Sequence, residues 1–407
     1  MNAPVDAVLH DILIPRALLR DDAGFGGTPA GDCLRGDLLI RDGRARRLQP
    51  GTPGDAPRIV LPALTEAHCH LDKCHTIARL GTVGGDLIAA IAAQKEDKAN
   101  WSEADLSRRA RIGLAEAQAA GCIALRTHVD WGDTVEAPLN WSVLTGLAQE
   151  TSGLTLQCAA LTGIDQLAED GFCDQVARRL AQDGGVLGAF VLGHKRVQDG
   201  LTAMITSADK YGLALDFHVD EGLGDYNGLE TICDALIAAR FAGPVLCGHA
   251  VSLMDRHGDD LTRILDKLAR AQVSVCALPT TNLYLQDRRS GTPDRRGLTR
   301  LREMQAAGVP VVVGSDNVAD AFCPMGQHDP MAALHLAALT GHLDPPMGRW
   351  LRSVTVDAAT ALGLDPVFVD GARADDLRLS TAPDLAGLVA GRAPLLKLTD
   401  VLQETVQ

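Results

Sequence analysis

The 407-residue sequence lacks an excess of positive charge, and its formal net charge at neutral pH is −14. We therefore exclude a nucleic-acid phosphate backbone as a partner and expect a small neutral or cationic ligand. No stretch approaches the roughly 18 apolar residues that a membrane helix requires. No basic segment precedes an apolar leader with a small-residue cleavage site. We expect a cytoplasmic protein without membrane contact, assembled as a homo-oligomer.

Clustered cysteines are also lacking. The chain has ten cysteines, but they are scattered singly, unlike the disulfide framework of a small secreted module. We expect most of them to be reduced, buried and apolar in character. Cys69 lies between two histidines and points to the opposite side of an extended strand from both, which predicts a core thiol.

Two histidines separated by one residue end an apolar run that begins at Leu61. Because side chains alternate between the two faces of a strand, His68 and His70 must point the same way at the strand's exit. Two neighbouring imidazoles are half of a metal site, although paired histidines of this kind are more often solvated or hydrogen-bonded. The remaining residues must come from elsewhere in the chain.

Short apolar runs alternate with longer amphipathic segments over most of the chain, whereas residues 1–57 carry only short strand-like pieces that predict a small β layer. The alternation predicts an α/β protein with eight parallel strands, each followed by a helix, which is the count of a (β/α)8 TIM barrel. A doubly wound open sheet would also alternate, but it would not carry polar residues at so many strand ends. Segment 384–389 is a candidate strand that returns to the β layer. The predicted barrel strands are 59–67, 122–128, 154–161, 186–192, 213–219, 244–249, 273–278 and 309–315.

Polar side chains stand at the ends of five of these strands, and a barrel would bring all of them to one mouth. The first strand supplies His68 and His70, the fifth His218 and Glu221, the sixth His249 and the eighth Asp316; the second ends in His128. In isolation, a histidine at a strand end is usually structural, and Asp316 could simply cap a turn. The joint occurrence favours a functional site.

Three imidazoles and one carboxylate, from His68, His70, His218 and Asp316, would suit one divalent ion, zinc or iron, with a position left for water. The ion would lower the pKa of that water toward 7 and make hydroxide available. Asp316 could move the water's proton to a leaving group, Glu221 could protonate a ring nitrogen, and His249 could stabilise developing charge. These roles predict hydrolysis at an electron-poor carbon with release of ammonia or an amine.

The other histidines receive weaker assignments. His128 is expected to support the site from behind, with direct ligation as the alternative. The histidines in predicted loops and helices are expected to be structural, and the role of His194 is open. Lys195, just past the fourth strand, could bridge two metals after carboxylation, but it lies beyond the predicted strand end.

The motifs HCHLD at 68–72, RTHVD at 126–130, HVDE at 218–221, GHA at 248–250 and SDN at 315–317 together resemble the amidohydrolase superfamily, specifically its cytosine deaminase-like branch. The resemblance implies a distorted barrel over residues 58–369 and a small β-sandwich domain formed by residues 1–57 and 370–407. It also implies one catalytic iron or zinc held by the four ligands already named, with Glu221 and His249 as catalytic residues.

Departures from that branch bear on the substrate. The expected glutamine after strand three is absent from the stretch that contains Thr162, Phe322 stands where a tryptophan is expected, and Asn317 replaces an acidic residue. Gln286 could reach the pocket or lie on the surface. Lys73 and the SDN triplet are similar to the branch that removes isopropylamine from isopropylammelide. We treat Thr162, Gln286, Asn317 and Phe322 as substrate-binding candidates.

The sequence thus predicts a metal-dependent aminohydrolase in which metal-activated hydroxide deaminates cytosine or a related pyrimidine or triazine. Two alternatives remain within enzymes: a binuclear amidohydrolase that opens a cyclic amide, and an aminohydrolase that releases an alkylamine from a triazine. A barrel that only binds a ligand would be expected to have a broken set of ligand positions, whereas here every position is filled.

Overall fold

The computed structural model describes residues 6–81, 85–288 and 296–406 and contains two separate sheets. The larger sheet has eight parallel strands, each hydrogen-bonded to the next in chain order. Its strands are short, apolar and buried on both faces, as expected for a parallel sheet covered by helices. They are β6 (Leu64–Cys69), β7 (Cys122–Asp130), β8 (Thr155–Gly163), β9 (Val186–Phe190), β10 (Leu215–Val219), β11 (Val245–His249), β12 (Ser274–Ala277) and β13 (Val311–Val313).

The first and last of these strands meet near their carboxyl ends. Cys69 and Asp316 form a parallel bridge, and the Asp316 amide donates to the His68 carbonyl over 2.9 Å. This contact brings β13 back to β6, so that the eight strands form a (β/α)8 barrel. The predicted fold class, a barrel with separate β structure from the two chain ends, is confirmed.

Helices cover the outside of the barrel. The helix from Phe172 to Asp183 illustrates why they form, since Phe172, Val176 and Leu180 recur on one buried face. It ends at Gly184, whose φ of 71° is the left-handed conformation that terminates helices. The barrel helices are α2 (Leu87–Asp97), α3 (Glu103–Ala119), α4 (Leu139–Glu150), α5 (Ile164–Leu167), α6 (Phe172–Asp183), α7 (Val197–Tyr211), α8 (Gly228–Ala239), α9 (Gly258–Arg270), α10 (Pro279–Leu285), α11 (Leu301–Ala306), α12 (Pro330–Gly341), α13 (Gly348–Leu351) and α14 (Val356–Ala361).

The second sheet combines both ends of the chain. Its strands are β1 (Ala7–Pro15), β2 (Thr28–Ala30), β3 (Cys33–Arg41), β4 (Arg44–Gln49), β5 (Arg58–Pro62), β14 (Leu377–Ser380) and β15 (Leu396–Lys397). Strand β5 lies between β1 and β14, which joins the N-terminal strands to the C-terminal segment. Helices α1 (Asp22–Phe25) and α16 (Leu398–Val406) pack beside this sheet, and α15 (Leu385–Val389) packs against α12.

Two sequence predictions are wrong in this region. The predicted strand 59–67 is two strands, because Pro62 has no amide hydrogen with which to continue the ladder, and the Ala63 amide instead donates to the Asp376 carbonyl. The first barrel strand therefore begins at Leu64; the division into two domains, with the barrel over residues 58–369, stays a prediction. Segment 384–389 forms α15 instead of a strand, since the Asp384 carboxylate caps it by accepting from the Gly387 amide over 2.7 Å.

All ten cysteines are buried free thiols, in agreement with the sequence prediction. Within the described ranges, none of the helices is both long and apolar enough to span a membrane.

Candidate active site

The four predicted metal ligands converge at the carboxyl ends of three barrel strands. His70 Nε2 lies 3.2 Å from His218 Nε2 and 3.3 Å from Asp316 Oδ1, and His68 Nε2 lies 3.5 Å from the same carboxylate oxygen. All four side chains are buried. The strand-parity argument for His68 and His70 therefore leads to one compact cluster.

Two glycines, one in β11 and one directly after β13, make room for this cluster. A Cβ atom on Gly248 would stand 2.8 Å from the His68 ring, and one on Gly314 would stand 2.9 Å from Glu66 Oε1. Real Cβ contacts are essentially never that short, so both positions require a residue without a side chain.

The backbone is strained where two of the site residues leave their strands. His249 has a φ of 71° and Asp316 a φ of 63°, both in the left-handed region that non-glycine residues rarely adopt. Such conformations cost free energy and collect at functional sites, where the surrounding structure imposes them.

The cluster also fits a metal ion chemically. Both ring nitrogens of His68, Nδ1 of His70 and His218, and both oxygens of Asp316 have no hydrogen-bond partner among the residues that the structure describes. Burial holds the pKa of His68 and of His218 well below its usual value, so their imidazoles are neutral, as ligation requires. Burial alone would raise the pKa of Asp316, but the neighbouring His68 and His70 rings, 3.5 and 3.3 Å away, hold it well below the ordinary value. Neutral imidazoles with a carboxylate are a donor set for zinc or iron.

Glu221 and His249 lie side by side next to the cluster. Glu221 Oε2 is 3.6 Å from His249 Nε2, and His249 Nδ1 is 3.0 Å from Asn282 Oδ1. Burial raises the pKa of Glu221 to about 7, an effect that His249 opposes and Asp316 reinforces. A carboxyl group with this pKa exchanges protons readily near neutral pH.

His128 lies behind the cluster. Its ring centroid is 3.9 Å from that of His68, and its Nε2 is 2.9 Å from Asp216 Oδ1. Asp216 Oδ2 in turn accepts from Arg126 over 2.9 Å. The proximity to Asp216 favours the predicted supporting position, although the ring nitrogens of His128, His68, His70 and His218 are close enough to share an ion. Its role stays a prediction.

Glu66 is a buried site residue that the sequence reasoning missed. One of its carboxylate oxygens accepts from the His68 amide over 2.9 Å, and the other accepts from the Ser315 amide over 3.1 Å. The side chain therefore ties the first strand of the barrel to the residues that follow the eighth. Burial raises the pKa of Glu66 to about 8. Strand parity could have found it, because residues 66, 68 and 70 share one face.

A cavity of about 430 Å³ opens over the cluster. Three of the predicted substrate-binding residues line it: Thr162, Asn317 and Phe322. Gln286 is placed differently, since it is not among the described residues that line the cavity, and its Nε2 donates to the Glu221 carbonyl over 3.1 Å. This hydrogen bond to the backbone of Glu221 holds the Gln286 side chain behind that residue.

His194 and Lys195 lie away from the cluster. The Lys195 amide donates to Asp165 over 3.0 Å, and its side chain is exposed after β9 has ended. His194 Nδ1 is 3.3 Å from the same aspartate. Neither residue is among the described residues that line the cavity.

Lys73 brings a buried cation to the cavity wall. Its ammonium group is 2.8 Å from Asp130 Oδ1, and the ammonium of Lys98 is 2.8 Å from Asp130 Oδ2. Lys73 also lies 5.6 Å from the centroid of the Phe322 ring. The Asp130 carboxylate therefore links two cations that line the same cavity as the metal cluster.

Comparison with known proteins gives the family. A model of the amidohydrolase family matches residues 102–375. A pterin deaminase from Rhizobium rhizogenes is 32% identical over 370 residues, which cover 88% of this chain and 83% of that protein. The chain belongs to the amidohydrolase family. The predicted family is thereby confirmed, and so is its general chemistry, because amidohydrolases of this kind are metal-dependent hydrolases that act on C–N bonds.

Solved structures support the same amidohydrolase fold. The 5-methylcytosine deaminase from Klebsiella pneumoniae aligns with a TM-score of 0.78 at 21% identity, over 96% of this chain and 95% of that one. The N-isopropylammelide isopropylaminohydrolase from Burkholderia multivorans aligns with a TM-score of 0.71 at 24% identity, over 96% of this chain and 97% of that one. At these identities the likeness concerns the fold alone.

Proposed function

We propose that this amidohydrolase removes the exocyclic amino group of a nitrogen heterocycle and releases ammonia. The observation that carries the proposal is that His68, His70, His218 and Asp316 converge, with Glu221 and His249 beside them, at the end of a cavity of about 430 Å³. The 32% identity to a pterin deaminase over most of both chains supports the same class of reaction.

We assign a single divalent ion, zinc or iron, to His68, His70, His218 and Asp316. When bound, the ion supplies Lewis-acid activation of water for attack on the ring carbon. The exposed position of Lys195 favours one ion over two, because a carboxylated lysine bridge would have to reach the cluster.

Side chains of the protein carry out the proton transfers of the reaction. Glu221, buried with a pKa of about 7, donates a proton to the ring nitrogen next to the reacting carbon. Asp316 takes the proton of the water and passes it to the departing amino group, which leaves as ammonia. His249, held by Asn282 over 3.0 Å, stabilises the charge that develops on the ring. The proton that remains on the attacking oxygen returns to Glu221 as the C–N bond breaks, so one water is consumed, the amino-substituted carbon becomes a carbonyl carbon and Glu221 is protonated again.

We propose that Thr162, Asn317 and Phe322 contact the heterocycle, because all three line the cavity. Gln286 instead positions Glu221 through its bond to the Glu221 carbonyl. Cytosine, aminotriazines and pterins are the first substrates to test, the last because of the relative at 32% identity.

We also propose that the protein works in the cytoplasm and assembles from identical subunits. Ten buried free thiols fit a reducing compartment. Cell fractionation tests the first point, and size-exclusion chromatography with light scattering tests the second.

Ammonia release from a panel of amino heterocycles tests the function. The panel contains cytosine, 5-methylcytosine, isocytosine, aminotriazines, pterins and creatinine, and the protein is loaded with zinc or iron before the assay. We expect ammonia from at least one compound and none from the same compound with Asp316→Ala. A metal-loaded protein that releases no ammonia from the panel would contradict the proposal. Ring-opened product without ammonia would favour cyclic-amide hydrolysis, and release of an alkylamine alone would favour the triazine alternative.

A further inference from the structure

One face of helix α2 forms part of the cavity wall. Leu87, Ile91 and Gln94 of this helix and Lys98, the residue directly after its end, all line the cavity, and their spacing places them in one stripe. The stripe is apolar at its first two positions and polar at the last two. This helix therefore offers the substrate a hydrophobic surface that ends in an amide and a cation.

Among the residues that the structure describes, none forms a hydrogen bond with the side-chain amide of Gln94. The residue is 3% exposed, and neither its Nε2 nor its Oε1 makes a hydrogen bond within the described parts of the chain. A buried amide without partners is rare, because it loses its hydrogen bonds to water and gains none in return. Because Gln94 lines the cavity, a ligand that enters it can supply the missing partners.

Other polar candidates on the cavity wall already have protein partners. Thr162 Oγ1 donates to the Gly132 carbonyl over 2.5 Å, and Asn317 Nδ2 donates to Asp320 Oδ2 over 2.7 Å. Compared with these two, Gln94 has its full hydrogen-bonding capacity left for a ligand.

The helix that carries Gln94 is anchored on both sides of its last turn. Asp97 accepts two hydrogen bonds from Arg79, over 2.6 and 2.7 Å, and one from the Trp101 indole over 2.9 Å. Lys98 pairs with Asp130 at the end of β7. These contacts fix the backbone beneath Gln94, which is the condition for precise recognition by a side chain.

We propose that Gln94 binds the lactam edge of the heterocycle, that is, a ring N–H next to a carbonyl group. A glutamine amide matches this edge, since Oε1 accepts from the N–H while Nε2 donates to the carbonyl oxygen. The inference rests on the proposed deaminase function and narrows it, because the substrate must carry a lactam edge in addition to its amino group.

The test combines a substitution with a chemical change in the substrate. The substrate found in the ammonia assay is compared with its derivative methylated at the lactam nitrogen, on wild type, Gln94→Ala and Glu96→Ala. Glu96 lies on the same helix, is exposed and is not among the described residues that line the cavity, so it controls for effects on the helix. Metal content and the melting temperature are measured on each sample.

We expect Gln94→Ala to lower kcat/KM by about 10- to 100-fold and to weaken binding of the lactam-containing product by a similar factor, at unchanged metal content. Glu96→Ala is expected to remain within about twofold of wild type. Methylation of the lactam nitrogen should lower the kcat/KM of wild type by a comparable factor. It should lower the kcat/KM of Gln94→Ala only slightly, because this variant already lacks the amide oxygen that accepts from the ring N–H.

Two outcomes separate this inference from the proposed function. An active wild type with Gln94→Ala within threefold of it, or with the same methylation penalty in both proteins, would overturn the role of Gln94 alone. A metal-loaded wild type that releases no ammonia from the panel would overturn both.

Discussion

Replacing Glu66 by alanine would remove the carboxyl group that joins the two ends of the barrel beside the metal cluster. In the native structure, this carboxyl group accepts from the amides of His68 and Ser315, which belong to segments nearly 250 residues apart. His68 is itself a predicted metal ligand, and Ser315 directly precedes the predicted ligand Asp316. The substitution therefore affects folding stability and metal binding through the same two bonds.

The expected loss of stability follows from the two backbone amides that would lose their acceptor. Each buried N–H left without a partner costs about 1–3 kcal/mol, so Glu66→Ala should lower the free energy of unfolding by about 2–6 kcal/mol. Burial raises the pKa of Glu66 to about 8, so the carboxyl holds its proton at neutral pH and glutamine resembles it closely. Glu66→Gln should therefore lower the free energy of unfolding by less, about 1–3 kcal/mol, since one acceptor oxygen remains.

The raised pKa of Glu66 also determines the direction in which folding stability changes with pH. The unfolded chain releases the Glu66 proton near its ordinary pKa of 4.5, whereas the folded protein keeps it up to about pH 8. Because the folded state binds more protons in this window, this residue makes stability fall as pH rises from about 4.5 to 8. Glu66→Gln should remove this contribution.

Urea denaturation of metal-free protein, followed by circular dichroism, measures the stability change, and isothermal titration with zinc measures the metal affinity. We expect Glu66→Ala to weaken metal binding by about 10- to 100-fold, as loss of a residue behind a ligand usually does. Glu404→Ala, at an exposed glutamate, is the control and should stay within about 0.5 kcal/mol of wild type. The reasoning is refuted if Glu66→Ala has the same free energy of unfolding as wild type, or if Glu66→Gln lowers that free energy as much as Glu66→Ala does.

Three further predictions concern the metal and the proton donor. Glu221→Gln should keep its metal and lose about 10²- to 10⁴-fold in kcat, because only the proton donor is removed; full activity would contradict the proposed role. In wild type, kcat/KM should fall as pH rises through about 7, where Glu221 loses its proton, and a profile flat from pH 6 to 9 would oppose this. His218→Ala and Asp316→Ala should lose metal or nearly all turnover, and a chelator should lower the melting temperature of wild type but not of these variants.

Much of the barrel could be predicted because its signals are local. Short apolar runs predicted all eight strands, and strand parity placed His68 and His70 on one side before any partner was known. The convergence of His218 and Asp316 on that pair followed from the architecture, since a parallel barrel collects its strand ends at one mouth.

The features that could not be predicted from the sequence depend on contacts between distant segments. Residues 59–67 read as one apolar run, and only the pairing of β5 with β14 reveals that its first half belongs to the other sheet. Gln286 was a candidate for the pocket, yet its direction is set by the Glu221 carbonyl. Gln94 carries no motif, and it became a candidate only because its amide is buried and has no hydrogen-bond partner within the described ranges.

The central claim is that one metal ion, held by His68, His70, His218 and Asp316, drives deamination. It is tested most directly by adding zinc or iron in steps to metal-free protein and measuring ammonia release from the substrate found in the panel. We predict that activity rises in proportion to added metal and saturates at one equivalent per chain. Saturation only at two equivalents, or full activity before any metal is added, would contradict the account.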